Sequence, residues 1–146
     1  VELLNNYNSL FILGKNTDES VAKEGSLKIK EISYIHSEAY SSSSLKHGPF
    51  ALLDENMPVI ILNNNFNYES KVLNCYEEVK SRNSKIIFIT NNQNLDKENT
   101  IIVPYNKTFS SLLAIIPLQL IAYNLSIKRE INPDKPKNLA KVVTVE

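Results

Sequence analysis

The sequence predicts an α/β fold in which helices cover both faces of a parallel sheet, a three-layer, doubly wound arrangement of flavodoxin-like type. Short apolar runs, each closed by glycine, asparagine or proline, alternate along the chain with longer segments of helical periodicity. Such runs are typical of strands buried on both faces. Strands joined through helices run parallel. Their carboxyl ends then meet at one edge, where open parallel sheets bind ligands.

Four strands are predicted from the apolar runs, at residues 9–14, 58–62, 85–90 and 100–103. Each run has a core of leucine, isoleucine, valine or phenylalanine, as expected of strands without a solvent-facing side. The loops that follow Leu13, Leu62, Thr90 and Val103 are therefore the expected ligand edge of the sheet.

Three helices are predicted between and after these strands. The first follows the loop 15–19 and continues to about His36; its possible caps are Thr17, Asp18 and Ser20. The second covers 68–82. The third covers 110–128 and is expected to bend or begin afresh at Pro117, because proline removes a helical hydrogen bond. Residues 37–53, with serines at 41–44 and a Gly48-Pro49 turn, are predicted to form a loop.

The domain organisation expected from length is one globular unit with a tail. A chain of 146 residues buries roughly 70% of its unfolded surface when it folds as a single domain. Residues 1–131 are predicted to form this unit. Residues 132–146, which contain Pro133 and Pro136 and little periodicity, are predicted to form an extended C-terminal tail. No internal repeat of solenoid size is present.

Composition argues against polyanionic and membrane partners. The formal net charge is zero, from 16 basic and 16 acidic residues, so we expect no nucleic-acid binding and no anionic membrane. The longest apolar run, 112–122, is interrupted by Pro117 and Gln119 and is too short to span a bilayer. No leader with a cleavage site is recognised at the start. These features favour a cytoplasmic location.

The cysteine, histidine and glycine content argues against metal or cofactor chemistry. The single cysteine, Cys75, permits no internal disulfide and lies in a predicted helix, where we expect a buried structural thiol. Two histidines without a second thiol make a zinc site unexpected. With three glycines and no phosphate-binding fingerprint after any strand, no dinucleotide or P-loop cofactor is expected.

The first predicted helix carries the most informative polar pattern. At about 100° per residue, Glu24, Lys28, Glu31 and Ile35 fall on one arc, flanked by apolar residues that include Leu27. Two carboxylates and an amine therefore share one helix face. On spacing alone, this pattern also fits ion pairs on a solvated helix surface, because Glu24 and Lys28 stand in the favourable i,i+4 order.

Three segments resemble a known family: the stretch 24–36, the sequence Leu45-Lys-His-Gly-Pro49, and Asn138-Leu-Ala-Lys-Val-Val-Thr-Val-Glu146. They are similar to the second sugar isomerase (SIS) subdomain of glutamine–fructose-6-phosphate aminotransferase, also called glucosamine-6-phosphate synthase. The resemblance covers nearly the whole chain. It implies a part of an enzyme that converts fructose 6-phosphate and glutamine to glucosamine 6-phosphate and glutamate.

The resemblance implies roles for the helix residues. Glu31 matches the family's base, which moves a proton between neighbouring sugar carbons, and a carboxylate suits this transfer. Lys28 would stabilise the enediol charge, and Glu24 would orient Lys28 or a sugar hydroxyl. The alternatives are an ion pair of Glu31 with Lys28 and a solvated Lys28.

The resemblance also implies roles for the histidine loop and the tail. His47 matches the histidine that opens the sugar ring and that the family contributes to the neighbouring subunit, which implies a homodimer. His36 would then be a structural residue at a helix end. Lys141 matches the lysine that forms a Schiff base with the open-chain ketose, a role that requires a lowered pKa. Ala140 is its predicted substrate-contacting neighbour.

The sequence departs from the family pattern at a few positions. Ser43 and Ser44 stand where the family usually has Gly-Glu, Val142 stands for serine, and Lys137 stands for arginine. The family's glutaminase domain and first SIS subdomain, which grips the sugar phosphate, are not in this sequence, so they are the expected partners and the chain alone is expected to be inactive. The rival interpretation is a noncatalytic SIS module that binds sugar phosphate and regulates a partner.

Overall fold

A five-stranded parallel sheet with the strand order β2-β1-β3-β4-β5 forms the centre of the fold. The structure is a computed structural model that describes residues 1–95 and 97–138. The strands are β1 Ser9–Gly14, β2 His36–Ser41, β3 Val59–Asn63, β4 Ile86–Thr90 and β5 Thr100–Ile102. The helices are α1 Thr17–Ser33, α2 Glu69–Lys80, α3 Ser110–Leu113 and α4 Ile115–Lys128, with short 3-10 turns at Leu45–His47, Pro49–Leu52 and Phe66–Tyr68.

The predicted fold class is confirmed by this strand order. Every strand pair is parallel, and the order is that of a flavodoxin-like doubly wound sheet. The order reverses between β1 and β3, which are paired with Phe11 opposite Val59. Neighbouring strands at such a reversal send their connections to opposite faces, which opens a crevice at their carboxyl ends.

The sheet separates two hydrophobic core layers. On one face, Leu10, Ile12, Ile60 and Leu62 pack with α1 and α4. On the other, Phe11, Leu13, Val59 and Ile61 pack with α2 and with Leu45 and Leu53 of the segment after β2. Adjacent strand residues therefore point into different cores, which is why their sequences read as continuous apolar runs.

Strand β2 corrects the prediction for residues 37–53. This segment was expected to be a loop, but it contains most of β2 and two 3-10 turns. Strand β2 pairs with β1 along its whole length, with His36 opposite Ser9 and Ser41 opposite Gly14. Strand β2 lies at the sheet edge and is only partly buried, so its sequence lacks an apolar run. The prediction that α1 continues to His36 was also wrong. Tyr34 takes the left-handed conformation (φ 58°) that ends α1, so His36 begins β2.

The third predicted helix was expected to bend or begin afresh at Pro117. It is instead divided at Ala114, three residues earlier. Pro117 is the third residue of α4. The N–H groups of the first turn have no partner within a helix, so proline costs little there. The buried face of α4, including Leu118, Ala122 and Leu125, has no exposed surface.

The outer face of α3 and α4 is an exposed apolar stripe. Its members are large hydrophobic side chains that are each about half exposed: Phe109, Leu112, Ile116, Leu120, Tyr123 and Ile127. Among the described residues, the span 110–128 is long and apolar enough to cross a membrane by length and composition, with a mean hydropathy of 1.6. Its other face packs against α1 and the sheet, and the expectation of no membrane partner stays a prediction.

Both ends of the described chain are attached near the amino ends of the strands. Arg129 Nη2 donates to the carbonyl of Asn5 at 2.8 Å. The main-chain N–H of Lys137 donates to Tyr34 Oη at 2.7 Å, and Lys137 Nζ lies 4.5 Å from the centre of the Tyr34 ring. The described part of the tail forms turns. The boundary between residues 131 and 132 stays a prediction.

Candidate active site

Helix α1 brings three of the predicted site residues together on its outer face. Lys28 Nζ donates to Glu31 Oε2 at 2.7 Å and lies 3.6 Å from Glu24 Oε1. The opposite face of the helix, which includes Ala22, Gly25 and Ile29, is buried against the core. The amphipathic spacing of the sequence thus orients the polar triad outward. The Glu31 side chain is 23% exposed and that of Lys28 32%, so both are accessible.

The electrostatics of this triad keep Lys28 positively charged. The hydrogen bond to Glu31, followed by the charges of Glu31 and Glu24, raises the pKa of Lys28 against the opposing effect of burial. A cation fixed beside a carboxylate suits the stabilisation of a developing enediolate. Ion pairs on a solvated helix surface would make the same contacts. The geometry therefore fits both the catalytic interpretation and the surface ion-pair interpretation, and the catalytic roles of Glu24, Lys28 and Glu31 stay predictions.

His47 lies in a different part of the structure from this triad. It ends the 3-10 turn in which Leu45 is buried in the core beneath α2, and Lys46 Nζ of the same turn lies 2.6 Å from Glu78 Oε1 of α2. Helices α1 and α2 cover opposite faces of the sheet. The exposed His47 side chain makes no hydrogen bond or ion pair within the described part of the chain. Within the described residues, no hydrogen bond or ion pair joins His47 to Glu31.

The serine segment before His47 is tied to the end of β1 through Ser42 and Ser43, of which Ser43 departs from the family pattern. The N–H of Ser42 donates to the Gly14 carbonyl at 2.8 Å, and Lys15 Nζ donates to Ser43 Oγ at 2.6 Å. Gly48, which follows His47, has a φ of 134°, a region that favours glycine. The start of the histidine loop is therefore fixed to the sheet, and its end depends on a glycine.

The two predicted tail residues, Ala140 and Lys141, lie outside the described residues. The last anchored residue before them, Lys137, contacts Tyr34, three positions after Glu31 in the sequence. The chain thus leaves the described region next to the carboxyl-terminal end of α1, the end that carries Lys28 and Glu31.

The structure adds a cavity that the sequence analysis did not assign to particular residues. A cavity of about 550 Å³ lies at the carboxyl ends of the strands. Its lining comes from the first turns of α1, the segment after β3 and the segment after β5: Thr17, Val21, Asn64, Asn65, Phe66, Asn67, Tyr105, Lys107, Thr108, Ser110, Ser111 and Leu112. In the sequence, three consecutive asparagines, Asn63 to Asn65, follow the apolar run 58–62 at this edge.

The remaining candidates for site chemistry are the single cysteine and possible metal ligands. Cys75 is 3% exposed, and burial raises the pKa of its thiol to about 12. The predicted burial of this cysteine is confirmed, and its thiol stays protonated near neutral pH. Within residues 1–95 and 97–138, no group of three or more histidine, cysteine or acidic side chains is placed to hold a metal ion.

The strand order and the crevice between β1 and β3 define the chain as a doubly wound α/β domain. Domains of this class bind small polar ligands at the carboxyl ends of their strands, and here α1 carries the triad of Glu24, Lys28 and Glu31 beside them. The chain belongs to the SIS domain family, whose model matches residues 3–129.

Relatives of this chain carry the name that the sequence motifs suggested. A protein of Acanthamoeba polyphaga mimivirus, named probable glutamine–fructose-6-phosphate aminotransferase (isomerizing), is 56% identical over the whole of this chain, which covers 24% of that protein. The Clostridium tetani enzyme of that name is 48% identical over 94% of this chain, which covers 23% of it. The chain thus spans about a quarter of the length of these curated relatives.

Solved structures give the same assignment at the level of the fold. The C-terminal domain of glucosamine-fructose-6-phosphate aminotransferase from Francisella tularensis matches with a TM-score of 0.83 and 36% identity, over 92% of this chain and 39% of that one. Glucosamine-6-phosphate deaminase from Thermotoga maritima matches with a TM-score of 0.78 and 28% identity, over 98% of this chain and 42% of that one. The predicted resemblance is confirmed.

Proposed function

We propose that this chain is the second isomerase subdomain of a longer glutamine–fructose-6-phosphate aminotransferase. The longer protein converts fructose 6-phosphate and glutamine to glucosamine 6-phosphate and glutamate. The observation that carries the proposal is 56% identity over the full chain to a protein of that name, of which the chain covers a quarter. The exposed triad of Glu24, Lys28 and Glu31 on α1 supports the proposal, because Glu31 stands at the position of the family's base.

In this proposal Glu31 moves the proton. Its carboxylate takes a proton from one carbon of the open-chain sugar and returns it to the neighbouring carbon, which a single positioned base can do. Lys28, held 2.7 Å from that carboxylate, stabilises the negative charge that develops on the enediol oxygens. Glu24 keeps Lys28 in place through the second ion pair.

The position of His47 supports a homodimer. Glu31 lies on the helix that covers one face of the sheet, and His47 follows Leu45, which is buried with α2 on the other face, so the two groups are on different sides of one chain. We propose that His47 opens the sugar ring in the active site of a second copy. Histidine suits this step because it exchanges a proton near neutral pH.

The anchored start of the tail supports a role for Lys141. Lys141 lies four positions after Lys137 in the sequence, and four positions span at most about 14 Å. Since Lys137 is bonded to Tyr34, Lys141 is within reach of the end of α1 that carries Glu31. We propose that its amine forms the Schiff base with the ketose and that Ala140 contacts the sugar.

The exposed apolar stripe supports the presence of further domains. Six large hydrophobic side chains along α3 and α4 are about half exposed, more than an isolated soluble domain usually leaves in one patch. We propose that the first SIS subdomain of the longer protein covers this stripe and that a glutaminase domain completes the chain.

We also propose a cytoplasmic location.

The rival function is a noncatalytic SIS module that regulates a partner. The presence of Glu31, His47 and Lys141 together favours the enzyme, because a sensor of sugar phosphate needs neither a base nor an imine-forming lysine.

A chimera tests the proposal. This chain replaces the corresponding quarter of the Clostridium tetani relative, and formation of glucosamine 6-phosphate from fructose 6-phosphate and glutamine is assayed. We expect an active chimera and an inactive isolated chain. An active isolated chain or an inactive, folded chimera would contradict the proposal.

Two variants of the chimera separate catalysis from structure. Glu31→Gln keeps the shape and removes the base, so we expect activity to fall about 10²–10⁴-fold. Glu19→Gln is the matched control, because Glu19 lies on the same helix and pairs with Lys23 at 2.9 Å; it is expected to retain full activity. Equal activity of the two variants would remove Glu31 from the mechanism and favour the regulatory module.

A further inference from the structure

We infer that the cavity at the carboxyl ends of β1 and β3 is a second binding site, for a small uncharged ligand rich in hydroxyl groups. It is separate from the acid–amine triad, which points outward from α1. At about 550 Å³ its volume lies within the range of small-molecule sites. The inference does not depend on the proposed function.

The walls of the cavity are held together by contacts between three chain segments. Thr17 Oγ1 of α1 lies 2.8 Å from Ser111 Oγ of α3 and accepts from Asn65 Nδ2 after β3 at 3.5 Å. Within the segment after β5, the hydroxyl of Ser110 accepts from the N–H of Asn106 at 2.9 Å. These segments are distant in the sequence, so the cavity is formed by the fold before any ligand arrives, which lowers the cost of binding.

The side chain of the most buried polar residue in the lining, Asn64, lacks hydrogen-bond partners among the described residues. Asn64 is 3% exposed, and its main chain is fixed: the N–H donates to Asp18 Oδ2 at 2.8 Å and the carbonyl accepts from Asn91 Nδ2 at 2.9 Å. Its side-chain nitrogen and oxygen have no hydrogen-bond partner among the described residues. An unpaired buried amide is costly, and a hydroxyl, which both donates and accepts, satisfies either of its ends.

The chemistry of the lining favours a neutral ligand. Eight of the twelve lining residues carry hydroxyl or amide side chains, none is acidic, and Lys107 is the single cation. The amino-terminal end of α1 would favour an anion, but Asp18 places a buried carboxylate in that first turn, while Glu19 is paired with Lys23. A phosphate group would meet the like charge of Asp18 there, and an uncharged group would not.

Two aromatic rings provide the apolar part of the site. Phe66 and Tyr105 lie with their ring centres 5.5 Å apart and are 52% and 60% exposed. Exposed rings beside amide and hydroxyl groups suit the face of a sugar ring, which is apolar, while its hydroxyl groups meet the polar wall. The ligand class that matches both parts is an uncharged cyclic polyol of monosaccharide size.

Nuclear magnetic resonance titration of the ¹⁵N-labelled full chain tests the inference. The probes are D-glucose, D-fructose and myo-inositol, and D-glucose 6-phosphate is the anionic comparison. We expect saturable shifts of the Asn64 side-chain amide and of Lys107 and Thr108 with at least one neutral probe. No saturable shift with any of the three neutral probes, or tighter binding of D-glucose 6-phosphate than of D-glucose, would overturn the inference.

Three variants locate the site. Asn64→Leu removes the unpaired amide, and Tyr105→Ala removes an exposed ring without touching the core, so each is expected to weaken binding at least tenfold. Asn56→Leu is the control on an exposed residue outside the cavity and is expected to bind as the parent chain does. If Asn64→Leu fails to fold, Tyr105→Ala decides, because wild-type binding by that variant would overturn the placement of the site. None of these outcomes bears on the chimera experiment.

Discussion

Asp18 shows how much of the fold's polar organisation depends on single side chains. It was one of three possible caps of α1, but the cap position is Asn16 and no side chain forms a cap hydrogen bond there. Its carboxylate is instead 1% exposed and accepts the main-chain N–H of Asn64 across the crevice. Burial raises the pKa of this carboxyl, against the lowering effect of its hydrogen bonds with Asn64 and Ser111. The residue thus joins α1, the end of β3 and α3.

The raised pKa gives Asp18 a defined effect on stability. A carboxyl whose pKa is higher in the folded state contributes most below its unfolded pKa of about 3.9 and less as pH rises through the folded pKa. Asp18→Asn keeps an acceptor for Asn64 without titrating, so we expect a flatter pH dependence of the free energy of unfolding above pH 4. Asp18→Ala leaves the Asn64 N–H unpaired and should cost about 1–3 kcal/mol. Urea denaturation at several pH values measures both, and equal stability of the two variants would contradict the prediction.

Cys75 provides a second test at this scale. Because burial raises the pKa of its thiol to about 12, the reactive thiolate is scarce at pH 8. We expect negligible labelling by a thiol reagent in the native chain and complete labelling in urea. Since Cys75 is the one cysteine of the sequence, the signal reports this site alone. Rapid native labelling would mean that α2 opens readily.

At the scale of elements, the contact between α1 and α4 requires a glycine. A Cβ atom added at Gly25 would lie 2.5 Å from Cδ1 and 3.1 Å from Cγ of Leu118, and Leu118 is fully buried. Interior positions without room oppose larger side chains. The glycine next to Glu24 in the motif is therefore needed for helix packing, whatever Glu24 does in catalysis.

A double-mutant cycle tests this packing. Alanine favours a helix over glycine by about 1 kcal/mol, but Gly25→Ala should still destabilise by about 1–3 kcal/mol because Leu118 must move. Leu118→Ala alone should cost about 2–5 kcal/mol through the space it leaves. In the double variant the added methyl occupies part of that space, so we expect the two costs to be less than additive. Strict additivity in urea denaturation would show that the two residues do not compete for space.

The strands with both faces buried could be predicted from sequence to within one or two residues, because a short apolar run closed by polar turn residues, such as that of β3, fits a buried strand better than a helix. Strand β2 could not, because an edge strand exposes part of its surface and needs no apolar run. The triad of Glu24, Lys28 and Glu31 followed from helical periodicity. Two features could not be predicted: that His47 and Glu31 lie on different sides of the sheet, and that the cavity is assembled from three segments. Both depend on which face of the sheet each helix or loop between strands covers, and local sequence does not encode that choice.

At the scale of the whole molecule, the apolar stripe on α3 and α4 sets the behaviour of the isolated chain. Its side chains alternate with buried ones along the same helix, such as Leu118 and Ala122, so the helix is apolar on both sides. Only one of these sides is covered within the described part of the chain. Exposed apolar patches of this kind promote association.

We expect the isolated chain to self-associate as its concentration rises. Leu120→Lys with Ile127→Lys, both on the stripe, should shift the mass measured by light scattering toward one chain and leave the free energy of unfolding within about 0.5 kcal/mol, as usual for surface changes. Leu118→Lys on the buried side of the same helix should unfold the chain. A parent chain that stays monomeric at high concentration would contradict this prediction.

The attachment of the first residues and of the last described helix at the amino ends of the strands has a practical consequence. Lys128 pairs with Glu2, and the N–H of His36 donates to the Asn8 carbonyl at 2.9 Å where β2 begins. The crevice lies at the other end of the strands. Attachment to a sensor surface through the first residues of the chain would therefore hold the domain at the amino ends of the strands and leave the crevice open to solution.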